Sequence, residues 1–149
     1  NSQASGVFVA GIPTPQVDMP LSGTATYNGV AEAAWRGPSA SPVASPVSYA
    51  SGDFSHTVDF ATGSGNGTMS LNGTQFTSQS VHVPGEPNAT FAFVGSTVSG
   101  GVGTGVFTGP QAENLGVVFE LLGTDGLQAA GAIRAERGAI MLPPAITPP

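Results

Sequence analysis

The 149-residue sequence contains no cysteine and no lysine, and its only permanently cationic side chains are Arg36, Arg134 and Arg137. Without cysteine there is no disulfide, no thiol nucleophile and no thiolate metal site. Without lysine, the glycine-rich run 101–105 lacks the cation of a phosphate-binding loop, and no helix pattern follows it. The run is therefore interpreted as a glycine-rich strand.

Few residues are charged, and most of those are acidic. Charged residues make up 8% of the chain, against about 25% in ordinary soluble domains. Three arginines face nine acids, for a net charge of −6. Nucleic acids and anionic membrane surfaces both require cationic partners, so we expect neither. No apolar run reaches the ~18 residues of a membrane span. This composition suits an extracellular or surface β-protein.

What the sequence does contain is apolar and polar residues in alternation, separated by short gaps rich in glycine and proline. The pattern predicts eight strands, at 21–35, 53–61, 67–72, 75–83, 89–95, 102–108, 116–122 and 127–136. The gaps are too short for the crossovers that parallel strands need. We therefore predict an all-β fold, a single eight-stranded antiparallel barrel over 21–138 with a filled interior. An N-terminal arm (1–20) precedes it and a Pro-rich tail (139–149) follows.

Turn and core positions follow from the same pattern. Asn72-Gly73 is a strong two-residue hairpin signal, and Asn66-Gly67 is a second turn dipeptide. Residues 37–51, rich in Pro, Ser and Ala, are predicted to form a long loop. Aromatic residues in strand-like runs are expected to supply the core: Phe60, Phe91, Phe107, Phe119 and Trp35.

The stretch 105–116 predicts one short helical turn between two strands. Pro110 suits a first helical position, and Gly116 suits a left-handed exit, which places the turn at Pro110–Leu115. Its glycines, together with Phe107, Pro110 and Ala112, resemble a signature of the β-barrel domains of bacterial transferrin-binding protein B and related surface lipoproteins. Thr108, Asn114 and Val117 depart from that signature.

Three further segments resemble the same family in the right order: 23–29, 54–60 and 130–137. The resemblance therefore covers roughly residues 21 to 137. It implies a non-enzymatic secreted or cell-surface binding protein of a Gram-negative bacterium, similar to the barrels that capture iron or haem. The chain is too short for the additional handle domain of the larger family members, so the resemblance does not imply direct transferrin capture.

Few residues are candidates for chemistry. Nothing resembles a nucleophile elbow or a facing carboxylate pair, so we expect no catalytic residue and no enzyme activity. No ligand spacing supports a metal site. The candidate ligand-binding residues are His82 near a strand end, His56 at an apolar position of its strand, and Tyr49 in the predicted loop. We expect no resident cofactor, and haem bound through His82 is the one alternative. Any small ligand is expected to lie against loop-borne residues, outside the barrel.

The two ends of the chain are candidate partner contacts. Apolar residues lie beside prolines at both ends, and those expected to touch a partner are Phe8, Ile140, Met141, Leu142 and Pro143. A stiff polyproline-like tail loses little entropy when it docks in a groove, which favours a protein partner or self-association through the termini. The alternative interpretation of each end is that it folds back on its own barrel. The alternative function is a structural subunit of an extracellular filament, matrix or membrane-associated complex held together by these ends.

Overall fold

A computed structural model describes residues 11–36, 48–95, 98–123 and 128–142. The eight strands are β1 (Thr24–Arg36), β2 (Ser48–Asp59), β3 (Ser64–Leu71), β4 (Thr74–His82), β5 (Asn88–Val94), β6 (Val98–Thr108), β7 (Asn114–Gly123) and β8 (Gln128–Arg137). Two 3-10 turns, Gln16–Asp18 and Pro110–Ala112, complete the elements. Across the described ranges, no helix is long and apolar enough to span a membrane.

Each strand pairs antiparallel with the next, and β8 pairs with β1, which closes the barrel. The predicted all-β, eight-stranded antiparallel barrel is therefore confirmed. The alternation in the sequence corresponds to alternating burial in the strands. Along β4 and β5, every second residue faces inward without interruption. The described residues contain no long helix, so the apolar faces of the strands are buried against one another, and closure removes the exposed edges.

The register of the strands fixes the width of the barrel. A path that starts at Ala34 on β1 and follows paired residues once around the barrel returns to β1 at Thr26. The offset between these two residues, eight positions, is the shear of the barrel. Eight strands with this shear tilt by about 36° and enclose a space that side chains fill. The interior of this barrel is accordingly a core.

Aromatic side chains fill that core as predicted. Phe60, Phe91, Phe107 and Phe119 are all buried, and they are joined by Phe54, Phe76, Phe93 and Tyr27. Neighbouring rings such as Phe93 and Phe119 lie 5.4 Å apart between centroids, in tilted contact. The backbone of Trp35 belongs to β1, but its side chain lies outside the described part of the structure.

Glycines make room for these rings inside a narrow barrel. A Cβ at Gly105 on β6 would lie 2.6 Å from the ring of Phe91, and one at Gly65 on β3 would lie 2.6 Å from Nε2 of His56. Each ring therefore lies against a neighbouring strand at a position that carries no side chain. The glycine-rich run 101–105 is part of β6 and forms such a floor.

Two loop predictions were wrong. Residues 48–51 belong to β2, so the loop predicted at 37–51 is shorter at its C-terminal end. Asn66-Gly67 lies inside β3, because the turn is made earlier, at residues 60–63. There the Asp59 carboxylate accepts the amides of Ala61 and Thr62, and Gly63 has a positive φ of 80°. The hydrogen bonds of the Asp59 side chain to the following backbone therefore fix the turn before the chain reaches Asn66-Gly67.

The helical turn is present but shorter than its predicted range. Pro110 begins it as expected, and it ends at Ala112. The left-handed conformation falls on Gln111 (φ 50°) and Ala112 (φ 56°), whereas Gly116 is an ordinary residue of β7. Asn72-Gly73 forms the predicted hairpin, with positive φ at both residues, as the favoured two-residue turn requires.

Candidate binding surface at the capped end of the barrel

One end of the barrel is covered by the two ends of the described chain, and we call it the capped end. Residues 11–22 cross it first. The amide of Thr14 donates to the Phe107 carbonyl at 2.9 Å, and its hydroxyl donates to the Gly109 carbonyl at 2.8 Å. Met19 turns inward and is buried. The part of the predicted N-terminal arm that the structure describes therefore packs on its own barrel.

Two side-chain hydrogen bonds hold the first 3-10 turn in place. The Asp18 carboxylate accepts the amide of Gln111 at 2.8 Å, which ties the first 3-10 turn to the second. The Gln16 amide group donates to the Glu86 carboxylate, also at 2.8 Å. Beneath them, the buried hydroxyl of Tyr27 donates to the Ala112 carbonyl, and burial raises the pKa of Tyr27 well above its usual range, with Arg137 acting in the opposite direction.

Residues 138–142 cover the same end from the other side. Met141 and Thr24 exchange two backbone hydrogen bonds of 2.7 and 2.9 Å, and the Gly138 amide donates to the Thr26 carbonyl at 2.9 Å. Ile140 is half-buried against the core. The described part of the predicted tail thus pairs with the start of β1.

Large apolar side chains remain exposed where these segments meet, and we call them the end patch: Val17, Leu21 and Leu142. Val17 is 98% exposed, Leu21 is 66% exposed and Leu142 is 68% exposed. Val17, Leu21 and Leu142 line a shallow concavity of about 340 Å³ together with Ile140. Burying this surface against another molecule would be favourable, at about 25 cal/mol per Å².

A larger groove, which we call the outer groove, runs beside the end patch on the outer wall. It has a volume of about 930 Å³, and strands β1, β7 and β8 form its floor. The floor of the groove is crossed by a row of paired residues, Val30, Arg134 and Gly116. Gly116 carries no side chain, which deepens the groove at that point. Arg134 is exposed and, among the described residues, forms no ion pair.

The structure places His56 inside the barrel. Its Nδ1 lies 2.7 Å from the hydroxyl of Ser78, and its Nε2 lies 2.7 Å from that of Ser80. The ring is fully buried, and burial lowers its pKa to about 4. His56 is therefore a neutral core residue with both ring nitrogens engaged.

His82 also faces the interior, at the last residue of β4. Its ring lies 5.3 Å from that of Phe107 and 6.1 Å from that of Phe60, between centroids, and the residue is only 4% exposed. Neither ring nitrogen has a hydrogen-bond partner among the described residues. Burial lowers the pKa of His82, and the Gly63 carbonyl opposes that shift without reaching hydrogen-bonding geometry.

The three predicted ligand residues do not converge. Tyr49 is 80% exposed on the outer wall, near the start of β2, whereas both histidines point into the core. Among the predicted partner contacts, Ile140, Met141 and Leu142 lie at the capped end, and Phe8 and Pro143 fall outside the described residues. Val17 was not predicted as a contact residue, because it lies between two prolines and shows no strand period.

These features define the class of fold: a closed, side-chain-filled, eight-stranded barrel, capped by residues 11–22 and 138–142 and exposing an apolar end patch and an outer groove. No protein-family model and no curated protein matches this chain. Solved structures do match it, at the level of the fold.

A mutant of transferrin binding protein B from Haemophilus parasuis is 20% identical, with a TM-score of 0.63 over 84% of this chain. The isotype 1 protein from serogroup B Neisseria meningitidis is 19% identical, with a TM-score of 0.67 over 87%. A surface lipoprotein is 16% identical, with a TM-score of 0.61 over 84% of this chain and 65% of its own. This chain spans 28% of the length of the two transferrin binding proteins. It has the fold of a transferrin-binding protein B-like barrel domain, as the sequence predicted.

Proposed function

We propose that this chain is a non-enzymatic binding domain, displayed on the outer surface of a Gram-negative bacterium, that engages a protein partner through its capped end. The observation that carries the proposal is the end patch. Soluble proteins rarely leave several large apolar side chains together in water, and such patches mark interaction sites. The backbone hydrogen bonds of Thr14, Thr24 and Met141 hold the patch in position before any partner arrives.

The fold neighbours support the surface location and the binding role. Their names describe a transferrin binding protein and a surface lipoprotein. Because this chain spans a minor part of the transferrin binding proteins, transferrin itself is not carried over to it. Iron or haem acquisition is the setting we propose on the strength of the fold alone.

The alternative, a structural subunit joined through its Pro-rich ends, finds no support in the described residues. Residues 138–142 pair with β1 of the same chain, and Thr14 bonds to Phe107 of the same chain. Contacts made by Phe8 or Pro143 remain predictions.

The surface location can be tested because the sequence has no cysteine. Ser55 is exposed on the outer wall of β2, so Ser55→Cys introduces a single thiol with little change in shape. A membrane-impermeant maleimide added to intact producing cells should label this variant, and the unmodified chain serves as the blank. Labelling only after lysis would rule out a surface location.

The partner site can be tested by site-specific photocrosslinking in the producing bacterium. A benzoylphenylalanine at Leu142 should yield a discrete protein adduct, identified by mass spectrometry. The same probe at Val94, also exposed and apolar but at the opposite end of β5, is the control. Adducts from both positions alike, or from neither, would contradict a partner site at the capped end.

Haem can be tested separately. Iron ligation requires direct access to a ring nitrogen, and the rings of Phe60 and Phe107 enclose His82. We expect the haemin absorbance to be the same with the wild-type chain and with His82→Ala. A shifted Soret band that disappears in His82→Ala would show that the barrel opens to bind haem.

A further inference from the structure

We infer that the partner face that covers the end patch is cationic: an apolar centre surrounded by lysine or arginine side chains. This inference rests on the proposed function, because it describes the partner of the same surface. It follows from the charges that surround the end patch.

Acidic side chains border the end patch on two sides. Asp18 follows Val17 directly and lines the same concavity as Leu142. Glu86 lies beside Leu21, whose side chain packs next to Gly85, and it accepts the Gln16 amide group at 2.8 Å. Both carboxylates are held at the edge of the patch by hydrogen bonds to uncharged donors and not by cations.

A third carboxylate, Asp59, lies on the side of the patch where β1 begins. It is paired with Thr24, the residue that bonds to Met141. Its Oδ1 accepts the amides of Ala61 and Thr62, which are again uncharged donors. Over the described residues, none of the three carboxylates forms an ion pair.

Two arginines lie on this side of the barrel: Arg134 faces the outer groove, and Arg137 lies at the edge of the end patch, where it bonds to uncharged carbonyls. Arg137 donates from Nε to the Gln111 carbonyl at 3.1 Å and from Nη1 to the Gly138 carbonyl at 3.2 Å. The chain has no lysine. Three carboxylates and one guanidinium at its edge give the rim of the patch a net negative charge. A complementary rim on the partner would both steer its approach and exclude wrong partners.

The same charges argue against a second copy of this chain as the occupant. Two copies joined patch to patch would bring their carboxylates together, and like charges across an interface cost free energy. With a net charge of −6 on each copy, the long-range interaction is repulsive as well. The purified chain should therefore remain monomeric at low ionic strength.

The experiment uses three synthetic peptides of about 14 residues, long enough to form a helix on docking. One is an amphipathic Leu/Lys peptide, the second is its Leu/Glu counterpart, and the third spreads the same number of lysines among Gly and Ser. Binding to the isotope-labelled full chain is followed by amide chemical shifts. We expect only the Leu/Lys peptide to bind with shifts concentrated at residues 17–22 and 138–142.

Matched variants then separate charge from apolar contact. Asp18→Asn and Glu86→Gln keep a hydrogen-bond acceptor but lose the charge, and each should weaken Leu/Lys binding about two- to five-fold, with less dependence on salt. Glu120→Gln, on the outer wall of β7, is the control and should leave binding unchanged. Leu142→Ser should abolish the localised shifts while the spectrum stays folded.

Several results would overturn the inference. Among the peptides, the inference fails if the Leu/Glu or the Gly/Ser/Lys peptide binds as well as the Leu/Lys peptide at the same residues, or if the Leu/Lys peptide shows no localised binding. Among the variants, it fails if Glu120→Gln weakens binding of the Leu/Lys peptide as much as Asp18→Asn does. A dimer at low salt would also overturn it, in favour of self-association. The Leu142 photocrosslink decides the proposed function independently, since it requires no assumption about the charge of the partner.

Discussion

Acidification should destabilise this barrel through His56, a titratable residue that is fully buried in its interior. The ring is fully buried, and its two nitrogens lie 2.7 Å from the hydroxyls of Ser78 and Ser80. A neutral imidazole can donate from one nitrogen and accept at the other, so both serines are satisfied. Protonation would place a charge in an apolar core and convert the accepting nitrogen into a donor.

The size of the effect follows from the shift in the pKa of His56. Burial lowers that pKa to about 4, while the unfolded chain has the ordinary value of about 6.5. Below pH 6.5 the unfolded state binds the proton first, so the free energy of unfolding falls as the pH falls towards 4 and is unaffected above 6.5. The full loss is about 3 kcal/mol, of which about 2 kcal/mol is lost by pH 5. His82 shifts in the same direction and adds to the loss.

Urea denaturation at pH 7 and pH 5 measures this loss directly. His56→Gln is the matched variant, because the amide can still donate and accept hydrogen bonds but does not titrate in this range. The wild-type chain should lose about 2 kcal/mol more between the two pH values than His56→Gln does. Carboxylates titrate alike in both proteins and cancel in the comparison. Equal losses in the two proteins, or an imidazole NMR titration with a pKa near 6.5, would refute the reasoning.

Two further predictions concern packing inside the barrel. Gly65→Ala places a methyl group within 2.6 Å of both the His56 Nε2 and the Ser80 hydroxyl, and should lower the free energy of unfolding by about 1–3 kcal/mol in thermal or urea denaturation. Gly100→Ala is the control and should be close to neutral, because a Cβ there meets nothing within 4 Å. Similar losses in the two variants would contradict the crowding argument. Phe119→Ala removes a buried ring and should cost about 3–5 kcal/mol, so an unchanged melting temperature would show that the ring is not part of the core.

The fold could be predicted from the sequence because the signals for it are local. Alternation of residues such as Phe91 and Phe93 with polar neighbours specifies a strand with one buried face, and Asn72-Gly73 specifies a hairpin. Short gaps then allow only antiparallel pairing, and eight strands in sequence order favour closure. The position of one turn was predicted wrongly. The side-chain hydrogen bonds of Asp59 place that turn before Asn66-Gly67, which therefore lies within a strand.

The position of the candidate surface depends on contacts between distant parts of the chain. The shear of the barrel is a property of all eight registers together, and it makes the interior a narrow, filled core around His56 and His82. The end patch joins Val17 to Leu142, residues at opposite ends of the described chain. No period in either segment marks them, because short segments between prolines and glycines take their conformation from what they pack against. Their exposure is therefore a consequence of how the ends dock, which sequence patterns do not encode.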